Sequence, residues 1–169
     1  MFKGQKGVTL VALVVTIIVL LILAGVSISM VVGQNGILTR TRGSVNNQNA
    51  ASAKEKLTMA CSATEMAFQQ EWAANQSLTR STYYYDANGG VQKELTNNGC
   101  TDVSIPATGF VVAQDSYDSA AGVTITFKVN GTLYTFSNVK VNAQTGGIGM
   151  SKAVKVGEGT DAATVNLAD

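Results

Sequence analysis

The chain has 169 residues, with 12 Lys and Arg against 11 Asp and Glu, a net charge of +1, and no histidine. Near-neutrality argues against nucleic-acid binding driven by phosphate neutralisation, and the missing histidine excludes Ser-His-Asp and Cys-His catalysis and His-ligated metal sites. Charged residues make up 14% of the chain, below the roughly 25% of an ordinary soluble domain, while the 46% of hydrophobic residues is an ordinary share concealing an uneven distribution.

The unevenness begins at the N-terminus. From Val8 to Val32, 20 of 25 residues are Ala, Val, Ile, Leu or Met, and no charge occurs between Gly7 and Thr39. A bilayer-spanning helix needs about 20 apolar residues at a rise of 1.5 Å each. Valine and isoleucine are frequent, but a helix satisfies its own backbone polar groups in lipid and an isolated strand cannot. Lys3 and Lys6 precede the run, which orients the short basic N-terminus to the cytoplasm and sends the rest across. A cleaved secretory signal would have a shorter apolar core followed by small residues; here apolar sequence continues past Ala24-Gly25-Val26-Ser27. A plain signal-anchor helix is the simplest alternative.

The junction Lys6-Gly7-Val8-Thr9-Leu10 goes further. A short basic leader ending in Gly, then Thr-Leu opening an uninterrupted apolar helix, resembles the N-terminus of type IV prepilins. The stretch KGVTLVALVVTIIVLLILAGV is most similar to the pilin-like proteins of Gram-positive clostridia, and the resemblance covers about the first 42 residues. It implies that residues 1–7 are a leader cut between Gly7 and Val8 by a prepilin peptidase on the cytoplasmic side. Val8 would then be methylated. Most such pilins carry Glu at the fifth mature position, which here is Ala12. A carboxylate in lipid is tolerated when it finds a partner, so its absence leaves two readings open: subunits registered by packing alone, or a minor or tip subunit.

Gly33 and Gly36 bracket Gln34-Asn35 just beyond the run. Each glycine costs a continuous helix about 1 kcal/mol, so a kink or a helix stop is expected there. A second helix is expected over about residues 44–77, where Ala53, Leu57, Ala60, Cys61, Thr64, Ala67, Phe68 and Trp72 recur at spacings of mostly three and four, an amphipathic face. Phe68 and Trp72 are expected as core anchors against a sheet.

From Tyr83 onward the pattern turns β-like, with Tyr83-Tyr84-Tyr85 expected as alternating strand residues. Val123–Val129, Asn130-Gly131 and Thr132–Phe136 read as a hairpin, because Asn-Gly tolerates the positive φ of a two-residue turn. That register opposes Val129 to Thr132, Phe127 to Tyr134 and Ile125 to Phe136. Further strand candidates are 103–105, 110–114, 139–142, 153–156 and 164–167. The fold expected is α+β: a long hydrophobic helix (8–36), then an exported domain (37–169) with its helix packed on an antiparallel sheet of about four or five strands.

Cys61 and Cys100 form a candidate disulfide in an exported chain, contributing about 3–4 kcal/mol by chain entropy; two free thiols are the alternative. Asp86-Ala87-Asn88-Gly89-Gly90 has the start of a calcium loop, but the sixth and twelfth positions are Val91 and Asn97 rather than Gly and Glu. It reads as a turn, as do Asp115 and Asp118. Thr145–Gly149 lacks the Lys-Ser/Thr of a P-loop, and no nucleophile–base pair is evident. An enzyme, a cofactor and a metal are therefore not expected. The resemblance implies a structural pilus subunit, held first in the cytoplasmic membrane and then in an extracellular filament. Its partners would be its own copies and the pilus assembly machinery. The alternatives are a minor pilin or pseudopilin of a type II secretion or competence system, and a single-pass anchored surface domain that binds a partner as a monomer.

Overall fold

A computed structural model of the chain describes residues 5–32, 37–85 and 90–167. It divides into two units, 1–45 and 46–169, and each is taken by itself. In the first, α1 (Gln5–Val32) is the expected apolar helix. The Thr16, Ser27 and Ser29 hydroxyls donate to the carbonyls of Ala12, Leu23 and Gly25 at 2.7, 2.8 and 3.0 Å. Each of these polar side chains is thus satisfied within the helix, as lipid requires. The break expected at Gly33 and Gly36 lies outside the described residues.

The next helix, α2 (Ile37–Trp72), begins earlier and ends earlier than the expected 44–77. Within the second unit it buries Ala50, Ala53, Leu57, Ala60, Cys61, Thr64 and Phe68, the i, i+3, i+4 stripe anticipated from the sequence. Thr64 reaches the core because its hydroxyl donates to the Ala60 carbonyl at 2.8 Å. Two short helices follow: α3 (Arg80–Tyr84), where Tyr83–Tyr85 were expected in a strand, and α4 (Gly90–Asn97), where no element was expected. Thr79 caps α3, its hydroxyl accepting from the Thr82 amide. The three tyrosines therefore do not alternate across a strand: Tyr84 is buried, with Tyr83 and Tyr85 half-buried on either side. Val91 and Leu95, one helical turn apart, seat α4 on the core. Gly90 is required there: its φ is +64°, and a Cβ would lie 2.8 Å from the Tyr83 carbonyl oxygen.

The strands are β1 (Thr101–Ser104), β2 (Val111–Val112), β3 (Val123–Val129), β4 (Thr132–Asn142), β5 (Ile148–Gly149), β6 (Ala153–Val156) and β7 (Ala163–Asn166). Five run in the order β1-β3-β4-β6-β7, with β2 and β5 both added to β4. The sheet is antiparallel except for β2, which pairs parallel to the end of β4, a departure from the wholly antiparallel expectation. The hairpin register is the one read from Asn130-Gly131, and Asn130 and Gly131 hold φ of 51° and 80°.

Beyond Phe136 a bulge intervenes. Ile125 pairs with Phe136 but Val123 pairs with Val139, so β4 gains one residue. Asn138 sits there at φ 56°, and its Oδ1 accepts from the Gly122 amide at 2.7 Å. The extra residue reverses the phase of the strand. Tyr134 and Phe136 face the core before the bulge, Val139 and Val141 after it. Two strands expected separately, 132–136 and 139–142, are thus one strand that turns its face. Ile125, Phe127, Phe136, Val154 and Leu57 meet in the core between sheet and helix.

Candidate functional site

Two features of the chain are candidates for function: an exposed apolar helix and a part-buried polar cluster. The first is α1. Gly7–Ser29 spans 23 residues, reaches a mean hydropathy of 3.1 over its most apolar 18, and is exposed throughout. At 1.5 Å per residue it reaches about 35 Å, enough for a hydrocarbon core of about 30 Å. Val8 is 70% exposed and Leu21 68%. So continuous an apolar surface is not left to water, and by length and composition the helix is able to cross a membrane. Gly7, Val8 and Ala12 all lie on it and all are exposed. Nothing approaches the place of a Cβ on Gly7, so the local structure does not demand glycine there, although glycine weakens a helix. Gly7, Val8, Val11, Ala12, Val15 and Thr16 line a shallow apolar depression, formed because Gly7 and Ala12 are small.

The second feature was not anticipated from the sequence. Glu65, on the flank of α2, meets Arg80 at the start of α3. The Arg80 guanidinium donates from Nε at 2.9 Å to Glu65 Oε2 and from Nη2 at 2.7 Å to Oε1. Nη1 donates to the Ala143 and Gln144 carbonyls at 2.7 and 2.8 Å. Tyr84 Oη and Gln69 Nε2 each add a 2.8 Å bond to the same carboxylate, and the guanidinium lies over the Phe68 ring at 4.8 Å. Burial pushes the Glu65 carboxyl up, but hydrogen bonds from Arg80, Gln69 and Tyr84 outweigh it and hold it below its ordinary value. Burial, reinforced by Glu65, pushes the Tyr84 phenol up, so that it remains a donor. This cluster ties α2, α3 and the turn after β4 together. Its Arg80 donors are engaged within the protein, so it is a clamp rather than an anion site.

Beside the clamp lies a groove of about 590 Å³ walled by Phe68, Trp72, Leu78, Arg80, Val111 and Gln144. Trp72 was expected as a core anchor with Phe68; Phe68 is 3% exposed but Trp72 is 40% exposed. α2 ends at Trp72 and the chain turns away through Asn75, whose amide donates to the Glu71 carbonyl at 2.9 Å. The indole is therefore left partly open to the groove.

Cys61 and Cys100, weighed as a disulfide, are both buried free thiols in this structure. They sit among apolar core side chains, where a thiol behaves as a small hydrophobe. Burial pushes the Cys61 thiol up to about 12 and raises Cys100 as well. Native protein at pH 8 should therefore resist alkylation, and protein unfolded without reductant should take up two alkyl groups by mass. A chain that takes up none until reduced would carry the bridge instead.

Among the described residues no group of three or more His, Cys, Asp or Glu is placed to hold a metal. Asp115 belongs to the 3-10 turn Gln114–Ser116; Asp86–Gly89 lie outside the described residues. No family model, no curated protein and no solved structure matches the chain.

Proposed function

We propose that the chain is a structural subunit of a type IV pilus-like filament, a homopolymer held together by its N-terminal helix. The observation that carries this reading is α1: a 23-residue, charge-free and predominantly apolar exposed span attached to a separately folded domain, with Gly7-Val8 at the head of the helix. The helix first holds the precursor in the cytoplasmic membrane. A prepilin peptidase removes Met1–Gly7 and Val8 becomes the methylated N-terminus. Extraction into a bundle of like helices exchanges lipid contacts for helix contacts at little cost in apolar area, so close packing drives assembly. The 46–169 unit decorates the outside of the filament.

A second reading, a minor pilin or pseudopilin, is favoured by one feature: Ala12 leaves no carboxylate to pair with the Val8 amine of a neighbouring subunit. Mass analysis of sheared surface filaments tests both readings. The expected result is a chain beginning at methylated Val8 and dominating the preparation. A trace component beginning at Val8 would mark the minor subunit. A chain intact from Met1, or no filament, would overturn the filament reading. Gly7→Leu should abolish processing and leave the full-length chain in the membrane, whereas a plain single-pass anchor would be indifferent to it.

A further inference from the structure

We infer that Asn75 is an acceptor for an N-linked sugar, and that the half-exposed Trp72 is the surface on which that sugar lies. Asn75-Gln76-Ser77 has the Asn-x-Ser spacing of an N-glycosylation acceptor, which belongs on a surface loop of an exported domain. All three residues are exposed, in the turn between α2 and α3. Ser77 Oγ donates to Asn75 Oδ1 at 2.6 Å, and the Ser77 amide donates to the same oxygen at 3.2 Å. Those bonds draw electron density onto Oδ1 and make the Nδ2 protons more acidic. The folded loop thus presents the carboxamide outward with its carbonyl already engaged.

The second observation is independent of the motif. Trp72 stands one turn before Asn75, and its ring opens onto the groove it shares with Phe68, Leu78 and Val111. Leu78 is tied to the acceptor by its amide, which donates to the Asn75 carbonyl at 3.2 Å. With Leu78 and Val111 the ring makes an apolar wall in a groove whose rim is polar (Gln69, Thr79, Ser81 and Gln144), a surface of the kind that takes a ligand with one apolar face. The C–H face of a pyranose is flat and apolar, and Asn75 lies three residues after Trp72 and three before Leu78, both of which wall this groove. The second Asn-x-Ser/Thr site of the chain, Asn130-Gly131-Thr132, is committed to the β3–β4 hairpin: Asn130 is in the left-handed region at φ 51° and Thr132 is paired with Val129.

The donor is a sugar activated as an anomeric pyrophosphate ester. Asn75 Nδ2 attacks the anomeric carbon, a C–N bond forms and the C–O bond to phosphate breaks. The pyrophosphate leaves with the electron pair, and the Nδ2 proton passes to a base of the transferase.

The inference rests on the export of the 46–169 unit contained in the reading above. The test is peptide mass analysis of the full chain from the cells that make it, with protease added to intact cells to report the side of the membrane. The expected result is a sugar-bearing Asn75 peptide, a bare Asn130 peptide, and loss of the sugar in Asn75→Gln, Ser77→Ala and Gln76→Pro, the last of which keeps Asn75 itself. Because Trp72 is the only tryptophan, enzymatic removal of the sugar should make its fluorescence more accessible to a soluble quencher. A bare Asn75 peptide from a domain that protease reaches would overturn the inference and leave export standing. A domain that protease cannot reach, with Asn75 bare, would overturn both.

Discussion

Replacing Arg80 with alanine should destabilise the 46–169 unit by about 2–4 kcal/mol, since removing one partner of a largely buried pair leaves the other charge uncompensated. The Arg80 and Glu65 side chains are 10% and 19% exposed, and the variant would also take the donor from the part-buried Ala143 carbonyl; the exposed Gln144 carbonyl can turn to water. The midpoint of thermal unfolding should fall by roughly 10 °C. Arg80→Lys should not restore it, because an ammonium cannot serve the carboxylate and two carbonyls in the planar fork geometry. A variant unfolding within about 2 °C of the parent would show that water replaces the clamp at little cost.

The same pair sets an acid limit. The Glu65 carboxyl is held below its ordinary value in the folded protein, so its contribution is present at neutral pH. It is lost as pH falls below about 4, through the depressed folded value. Urea unfolding across pH 2–7 reads this as a steeper acid slope in the parent than in Glu65→Gln, with the two curves converging once Glu65 is protonated. Parallel curves would remove Glu65 from the account of acid stability.

Membrane insertion of α1 should survive one buried arginine and fail with two. Gly7–Ser29 contains 15 Leu, Ile or Val residues; at about 0.3–0.6 kcal/mol each, they favour insertion by at most roughly 4.5–9 kcal/mol. An arginine at the helix centre costs about 2.5–3.5 kcal/mol on the same kind of scale. Ile18→Arg alone therefore leaves a favourable balance. Ile18→Arg with Ile22→Arg costs about 5–7 kcal/mol, which cancels most or all of it. Carbonate extraction of membranes should retain the parent and the single variant and release the double variant. Release of the single variant, or retention of the parent only through its 46–169 unit, would show that α1 is not what holds the chain in lipid.

The parts legible from residue order alone are those decided by neighbours a few positions apart. The charge-free run from Val8 specifies a helix because no other element satisfies its own backbone in an apolar surround. Asn130-Gly131 specifies the hairpin and its pairings because two adjacent residues at positive φ permit one two-residue turn. The buried stripe of α2 follows from spacings of three and four. The remaining features depend on which distant segments meet. Glu65 and Arg80 are 15 residues apart and became partners only because α3 folds back beside α2. Asn138 reverses the face of β4 where Gly122, just before β3, donates to its side chain, a contact that no alternation within β4 encodes. Tyr83–Tyr85 have a strand-like composition, but the Thr79 cap and the contact of Tyr84 with Glu65 favour a turn of helix. Trp72 fits the apolar stripe of α2 by spacing and yet lies half-open, because burial depends on what covers a face as well as on which face a residue occupies. Sequence therefore determined the membrane-length helix, the hairpin and the inward stripe. The clamp, the bulge and the open groove were decided by tertiary contact, since each requires the simultaneous placement of segments that local propensity leaves independent.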